Sequence, residues 1–406
     1  MLGLAGVAAA DDDATAWRDE IRQLREENRQ LRQQLDSLGQ KVNALEDRRE
    51  PVAVETPKSG ATKVLLSGEG GIAFFQSGRE GMFPNSEFRV DEAKLFVDVQ
   101  VMPQVFFFTE INLVAREGGD VDLDVGEFYI EVADISRLWG RDSELNLRVG
   151  ALDIPFGEEY LTRDAIDNPL ISHSLMDLWG VDEGIEAFGK LGRFQYALAV
   201  QNGGISSLRD YDADKAVTAR VGFDPNDAWH FSVSAMRTGN IHATDDFFTA
   251  MWLGPGFINS LSPLATTFRA DLYEADVVWR GRRGHLAVAG GYIGYDDDDP
   301  TADNSRDVYY YSVEGVYDVT EKFYGAVRFS QIIADDGFPV VGNGDFNEYQ
   351  FSELTTRMDR LSLGVGYRWS RDLVLKVDYT FDCGRTLSGE KRNHEDLFAA
   401  ELAFRF

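Results

Sequence analysis

No run of apolar residues in this sequence reaches the length that a membrane-crossing helix needs, roughly 18 residues. That rules out a helical span but not the membrane. A strand crosses a bilayer with roughly ten residues, half of them apolar. Closing the sheet pairs every backbone group in lipid, so a barrel can hide in a chain whose mean hydropathy is −0.28. Cys383 is the single cysteine, which excludes an intrachain disulfide and a cysteine-based metal site. Positive charge is also short. Lys and Arg number 40 against 69 Asp and Glu, and a net charge of −29 argues against nucleic acid as a partner. The acidic excess fits long, solvent-facing loops.

Catalytic signatures are missing too. The histidines are His173, His230, His242, His285 and His394. The pairs His173-Ser174 and His230-x-Ser232 have no credible third partner. The chain has no glycine-rich phosphate loop, no His-Glu-x-x-His helix and no nucleophile elbow. The expectation is no enzyme, no cofactor and no metal centre. A membrane-bound hydrolase would need a Ser-His pair at the lipid face and finds no support.

What is present points to strands. Glycine (39) and aromatic residues (12%) are plentiful and proline (11) is scarce, which suits strands joined by tight turns with aromatics at an interface. The N-terminus differs. Met1 to Ala10 is small and apolar and ends in Ala8-Ala9-Ala10, like the end of a secretory signal, so residues 1–10 are expected to be a signal-peptide remnant. Residues 11–49 read as a coiled coil. Trp17, Ile21, Leu24, Asn28, Leu31, Leu35, Leu38, Val42 and Leu45 alternate in steps of four and three, a seam of about four heptads. Asn28 falls at an a position, where a buried amide fixes register and partner number. So polar a helix has nothing of its own to cover its seam, so self-association is expected; packing on another part of the chain is the alternative. Residues 50–63, with Pro51, Pro57 and Gly60, read as a linker.

From Val64 the period becomes two. Leu95, Val97, Val99 and Val101 alternate with Lys94, Phe96, Asp98 and Gln100. Leu361, Leu363, Val365 and Tyr367 alternate with Arg360, Ser362, Gly364 and Gly366. Any half-buried sheet alternates in this way, so the connections decide. Long ones, near 78–86, 115–122, 157–183, 203–214, 239–266, 296–306, 334–355 and 384–395, alternate with short ones along the whole of 64–406. Short turns fall at Met102-Pro103, Asp134–Arg141, Leu191-Gly192, Asp224–Asp227, Gly281–Gly284, Asp318–Glu321 and Ser370-Arg371. That layout predicts an all-β fold, an antiparallel transmembrane β-barrel of about sixteen strands preceded by a short α-helical coiled coil. Trp229, Trp279, Trp369, Tyr367 and Tyr379 fit an aromatic girdle. The last strand alternates Phe398, Ala400, Leu402, Phe404 and Phe406 with polar or small residues, resembling the sorting signal of bacterial outer-membrane barrels.

The stretch Arg148-Val149-Gly150-Ala151-Leu152-Asp153-Ile154-Pro155-Phe156-Gly157, with the return Gly184-Ile185-Glu186-Ala187-Phe188 and Gln195 to Gly203, resembles the phosphate-selective porin family, porins O and P. The resemblance covers most of 64–406 in layout and about 148–203 in specific residues. It implies a sixteen-stranded trimeric porin for small anions or other small solutes, with Gly150, Pro155, Phe156 and Gly157 in structural roles. The family's phosphate channels line the pore with arginines and place lysines at the constriction. Loop 158–183 departs from that pattern. It contains no lysine and sets Arg163 and His173 against Glu158, Glu159, Asp164, Asp167, Asp177, Asp182 and Glu183.

If the loop folds into the barrel, Glu158, Glu159, Arg163, Asp164, Asp167 and His173 are the candidate constriction, a polar, cation-tolerant eyelet. If it does not, it is an acidic loop in water. Lys94, Arg148, Arg193, Arg220, Arg328, Arg360 and Arg368 are candidate pore-lining cations, with Lys376 and Arg405 in the same phase. They form either a basic ladder or cross-strand ion pairs that stiffen a wet wall. The run Asp296-Asp297-Asp298-Asp299 is either a solvated loop tip or a Ca²⁺ site.

The function expected is a passive outer-membrane porin for small hydrophilic solutes or ions, a homotrimer with its coiled coil in the periplasm. The alternative is an envelope tether whose coiled coil reaches peptidoglycan or another envelope protein. A soluble β-rich binding protein is the third possibility.

Overall fold

The computed structural model describes residues 63–114, 124–175, 177–178, 180–203, 210, 213–242 and 264–406. The signal remnant, the coiled coil with its seam Ile21, Leu24, Asn28, Leu31, Leu35, Leu38, Val42 and Leu45, and the linker up to residue 62 lie outside the described residues.

Long strands follow one another as β1 (Val64–Ser77), β2 (Glu87–Met102), β3 (Val105–Val114), β4 (Asp124–Val132), β5 (Asn146–Asp153), β6 (Val181–Leu191), β7 (Phe194–Gln201), β8 (Ala216–Asn226) and β9 (Trp229–Arg237). The short β10 (Ile241–His242) precedes β11 (Thr267–Gly281), β12 (Gly284–Asp297), β13 (Arg306–Asp318), β14 (Phe323–Phe338), β15 (Thr355–Ser370) and β16 (Leu373–Thr386). The short β17 (Lys391–Arg392) leads to β18 (Leu397–Arg405). Each long strand pairs antiparallel with its neighbours, and β18 returns to β1 with Gly70 opposite Phe404 and Ser77 opposite Leu397. β10 and β17 only extend the edges of β11 and β16. The result is a closed antiparallel barrel of sixteen strands. The long and short connections alternate as expected. The turn after β4 is the most elaborate of the short ones. It holds the 3₁₀ turn Ile135–Trp139, and the Asp134 carboxylate ahead of that turn accepts the Ser143 N–H beyond it at 2.8 Å.

The apolar phase of each strand points out. Val233, Val365 and Ile185 are each more than half exposed, and Leu363, Leu375 and Val327 lie on the same outer face. In water each such side chain would forgo roughly 1.5–3 kcal/mol of burial, and a continuous band of them marks an apolar surround. Outward aromatics gather in two belts. Toward the short turns lie Phe194 on Phe223 (centroids 4.7 Å apart), Trp229 opposite Trp279, and Phe323 on Tyr367 (4.6 Å), with Trp369 beside them. Toward the long loops lie Tyr273, Tyr292 and Tyr309 in a row, with Tyr311 on Phe329, Tyr379 on Phe381 and Phe74 on Phe88.

The packed interior is not between sheets but inside the barrel, where the connection 154–180 lies against the wall. Ile154 and Phe156 join Met236, Leu272 and Ile293. Ala165, Ile166 and Leu170 join Val316, Tyr324, Ala326 and Val374, and Ile171 joins Ala73, Phe75 and Ala399.

Candidate functional site: a loop folded into the barrel

The entry of this loop explains its Pro-Phe-Gly sequence. Gly150, late in β5, has φ 146, and a Cβ there would stand 2.1 Å from the carbonyl oxygen of Phe128 on the next strand. The chain then turns inward, with Phe156 buried. Gly157 has φ 71, which favours glycine, and a Cβ would meet the Glu274 carboxylate at 2.2 Å. Its N–H donates to Ser234 Oγ of β9 at 3.0 Å.

Inward residues of distant strands hold the rest of the loop. Asp378 of β16 accepts the N–H groups of Ile171 (2.9 Å) and Ser172 (3.0 Å), and Ser362 of β15 meets the Ser172 hydroxyl at 2.8 Å. Ser330 of β14 accepts the Leu175 N–H at 3.0 Å. Arg328 donates to Ser172 O (2.7 Å) and Asn168 Oδ1 (3.0 Å), and Arg360 donates to His173 O (3.1 Å). Lys376 donates to the carbonyls of Ala165 and Leu170, at 2.5 and 3.1 Å. On the other side Glu92 of β2 accepts the Ala165 N–H at 2.5 Å. Backbone groups crossing a lumen must find partners, and here the wall supplies them.

The six loop residues singled out from the sequence are therefore inside the barrel, each tied to a partner. Glu158 takes Arg220 at 2.8 Å and His230 at 3.2 Å. Glu159 accepts the Ser174 N–H at 2.9 Å. Asp164 pairs with Lys94, and Asp167 with Arg405 at 2.5 Å. The ion pair of Arg163 is with a residue outside the six. Arg163 pairs at 2.8 Å with Asp177, which also receives His173 at 2.7 Å, so Asp177 completes the set. Burial alone would raise the Asp177 carboxyl, but Arg163 and His173 together hold it below the usual carboxylate range. At Asp164 burial is likewise outweighed by the Lys94 ammonium, and the carboxyl is lowered.

The wall cations are paired rather than laddered. Arg148 joins Glu131 (2.9 Å) and Glu186 (3.5 Å), Arg328 joins Glu314 (2.5 Å), and Arg360 joins Asp382 (2.8 Å). Arg368 joins Asp318 (2.7 Å), and Lys376 joins Glu401 (2.7 Å). Arg193 departs from its expected lining place. The turn falls at residues 192–193, one residue later than the sequence suggested, which leaves Arg193 exposed at the rim. Glu69, Glu92 and Asp164 bring carboxylate oxygens within 4.8 Å of one another, and Lys94 is the cation at this cluster.

The histidines and serines of the two sequence pairs bond to carboxylates. His230 sits between Asp224 (2.7 Å) and Glu158, while Ser232 bonds Asp276 at 3.0 Å. His173 faces Asp177, and Ser174 faces Glu159. In the aspartate run the carboxylates shape local structure: Asp298 accepts Thr267 N–H (2.9 Å), Asp299 accepts Thr301 N–H (2.6 Å), and Asp296 pairs with Arg269 (2.8 Å).

The loop covers one side of the lumen. Inward residues of β11 and β14 to β18, such as Leu272, Ser330, Ser362, Lys376 and Ala399, are buried. Inward residues of β2 to β5, such as Phe96, Asp98, Phe108, Glu110, Tyr129 and Arg148, are only half-buried. Among the described residues, the lumen wall that the loop leaves less covered runs along β2 to β5. The sequence carried one sign of this wall, the aromatic Phe96 in an otherwise polar phase. Asp378 and Ser362 fall in the inward phase of their strands in the sequence, but nothing there links them or Ser330 to the loop.

No protein-family model matches the chain, and no curated protein matches it. Solved structures do. The outer membrane channel DcaP of Acinetobacter baumannii is 13% identical with a TM-score of 0.61, the match covering 87% of this chain and 100% of that one. OmpT of Vibrio cholerae in its trimer form is 12% identical with a TM-score of 0.56, covering 86% and 100%. The anion-selective porin from Comamonas acidovorans is 10% identical with a TM-score of 0.55, covering 85% and 99%. At such identity the likeness is one of fold: the chain has the barrel of the outer-membrane porins.

Proposed function

We propose that this protein is an outer-membrane porin, a water-filled channel that passes small hydrophilic solutes by diffusion, prefers cations and carries out no chemistry on them. The carrying observation is a closed barrel whose third long loop lies inside the lumen and leaves the inward residues of β2 to β5 half-buried. Along that wall Lys94 and Arg148 are each matched by carboxylates, whereas Asp98, Glu110 and Glu127 have no cation within salt-bridge distance among the described residues. Surplus negative charge at a narrowing favours cations. The anion-selective porin of like fold indicates that side chains, not the barrel, set the sign. For the same reason the phosphate selectivity implied by the resemblance to porins O and P is disfavoured.

The two aromatic belts and the apolar band between them support a place in the outer membrane. Strands β5 and β7 have 8 residues each, against 16 in β2, β14 and β15. At about 3.4 Å per residue and 45° tilt, eight residues reach roughly 19 Å, short of the roughly 25 Å apolar band of such barrels. A low wall of this kind fits contact with other copies better than contact with lipid. It supports a homotrimer, with the coiled coil of 11–49 gathering three chains on the periplasmic side.

Single-channel recording in a planar bilayer under a KCl gradient tests the proposal. A reversal potential of cationic sign, with steps in groups of three, is expected. Anionic sign with block by phosphate would overturn the cation preference. Folded protein that carries no current would favour the envelope tether.

A further inference from the structure

The open wall carries a row of aromatic side chains that a general diffusion pore does not need. Phe96 of β2 stacks on Phe108 of β3, centroids 6.0 Å apart and planes at 22°. Phe108 stacks in turn on Tyr129 of β4, at 5.1 Å and 28°. These are inward positions, half-buried, on the stretch of wall that the loop covers least among the described residues. In a polar lumen, three adjoining rings forgo burial that the outer face would supply.

Carboxylates flank the row. In the β2–β3 register Glu110 stands opposite Phe96, and Asp98 stands opposite Phe108. Neither has a cation within salt-bridge distance among the described residues. Ring faces carry negative quadrupole density and attract cations, most strongly where water is partly excluded. The wall already shows that mode at one end. The guanidinium of Arg148 lies 5.0 Å from the Tyr129 centroid and 4.4 Å from that of Phe188, with Glu131 and Glu186 neutralising it.

We propose that Phe96, Phe108 and Tyr129, with Asp98 and Glu110, form a binding track for small organic cations that have an aromatic or apolar body, such as arylalkyl ammonium or guanidinium solutes. The rings take the flat body and the carboxylates take the charge. Inorganic ions pass the same wall without pausing. This inference rests on the channel reading and makes it solute-specific.

The test is block of K⁺ current by benzyltrimethylammonium, set against tetramethylammonium, benzyl alcohol, benzoate and glucose. Benzyltrimethylammonium is expected to interrupt the current at concentrations at least tenfold lower than any of the others. Phe108→Leu combined with Tyr129→Leu should weaken that block roughly three- to tenfold while leaving tetramethylammonium unaltered. Asp98→Asn with Glu110→Gln should weaken it as well. Phe107→Leu, on the outer face of the same strand, should not.

Equal action of benzyltrimethylammonium and tetramethylammonium, or unaltered block in the Phe108/Tyr129 variant, would overturn the track. Stronger block by glucose would assign the rings to carbohydrate and overturn it too. Folded protein with no K⁺ current would sink the channel reading instead. Calorimetric titration of the detergent-solubilised barrel with benzyltrimethylammonium would then still decide the track: no ring-dependent binding would end it.

Discussion

Ser172 and Asp378 lie 206 residues apart in sequence, and the Asp378 carboxylate accepts both the backbone N–H (3.0 Å) and the hydroxyl (3.1 Å) of Ser172. The same oxygen accepts the N–H of Ile171 at 2.9 Å. One buried carboxylate thus pins the far end of the loop to β16. Asp378→Ala leaves two buried N–H groups without an acceptor, at about 1–3 kcal/mol each. The loop should come loose while the barrel stays closed. The expected outcome is a larger and noisier single-channel conductance with unaltered heat-modifiable migration of the folded barrel. Unaltered conductance would show that the loop does not limit the pore.

Lys376 is the second anchor, and its role is structural. Its ammonium is 1% exposed and lies 2.7 Å from Glu401, itself 1% exposed. Lys376→Met strips Glu401 of its counter-charge in the interior, which destabilises by about 3–5 kcal/mol. Adding Glu401→Gln removes the orphaned charge and should recover part of that loss. A thermal melt of the detergent-solubilised protein reads both. Full additivity of the two substitutions would mean that the pair does not interact.

Acid should release the loop in a defined window. Arg163 and His173 keep the Asp177 carboxyl below its ordinary value in the folded protein, against the opposing effect of burial. A depressed folded value contributes stability that is complete above the unfolded value of about 3.9 and fades as pH falls through the folded one. Hydrogen exchange in the 157–178 segment should therefore be flat from pH 7 to about pH 5, once corrected for intrinsic rates, and protection should fall below about pH 4. In Asp177→Asn that acid step should shrink, leaving the part owed to Asp164, which Lys94 also holds low. Loss of protection already at pH 6 would point to another group.

Gly157→Ala tests the loop's entry. A left-handed residue with a side chain costs roughly 1–2 kcal/mol, and the added Cβ would also press on Glu274. The variant should melt lower and give broader conductance levels than wild type. Gly192→Ala in the open turn after β6, also at positive φ but with nothing near the added carbon, should show only the backbone penalty.

Much of this barrel was legible because period-two alternation and alternating loop lengths are local signals. Each strand's outer face could be read from a few residues, as with Leu361, Leu363 and Val365, and the strand count followed from the turns. Turns themselves were placed less closely: the one read as Asp134–Arg141 spans residues 133–145, and that at Leu191-Gly192 lies at 192–193. At 192–193 that single step placed Arg193 in the turn, at the rim rather than on the wall, while the faces of β7 stayed as the alternation had them. The loop's fate was not legible. Its acidic composition suits water and a lumen equally, and what holds it inside is a set of distant partners such as Asp378 and Lys376 that no local pattern links to Ser172 or Ala165. The aromatic row lay between: Phe96 was visible in the polar phase, but its stacking on Phe108 and Tyr129 needed the register of three strands.

The sign of the pore should follow the open wall rather than the loop. Glu158, Asp164 and Asp167 are already paired with Arg220, Lys94 and Arg405, so each contributes little net field to a passing ion. Asp98 and Glu110 are not paired in this way. Neutralising them as Asp98→Asn with Glu110→Gln should shift the reversal potential toward zero by more than half of its wild-type value, whereas Asp167→Asn, which uncovers Arg405, should give only a small shift. Both are read in the same salt gradient, and raising the ionic strength should shrink both effects as the charges are screened. If Asp167→Asn proves the larger of the two, the filter sits on the loop, and selectivity belongs to the constriction instead of the wall facing it.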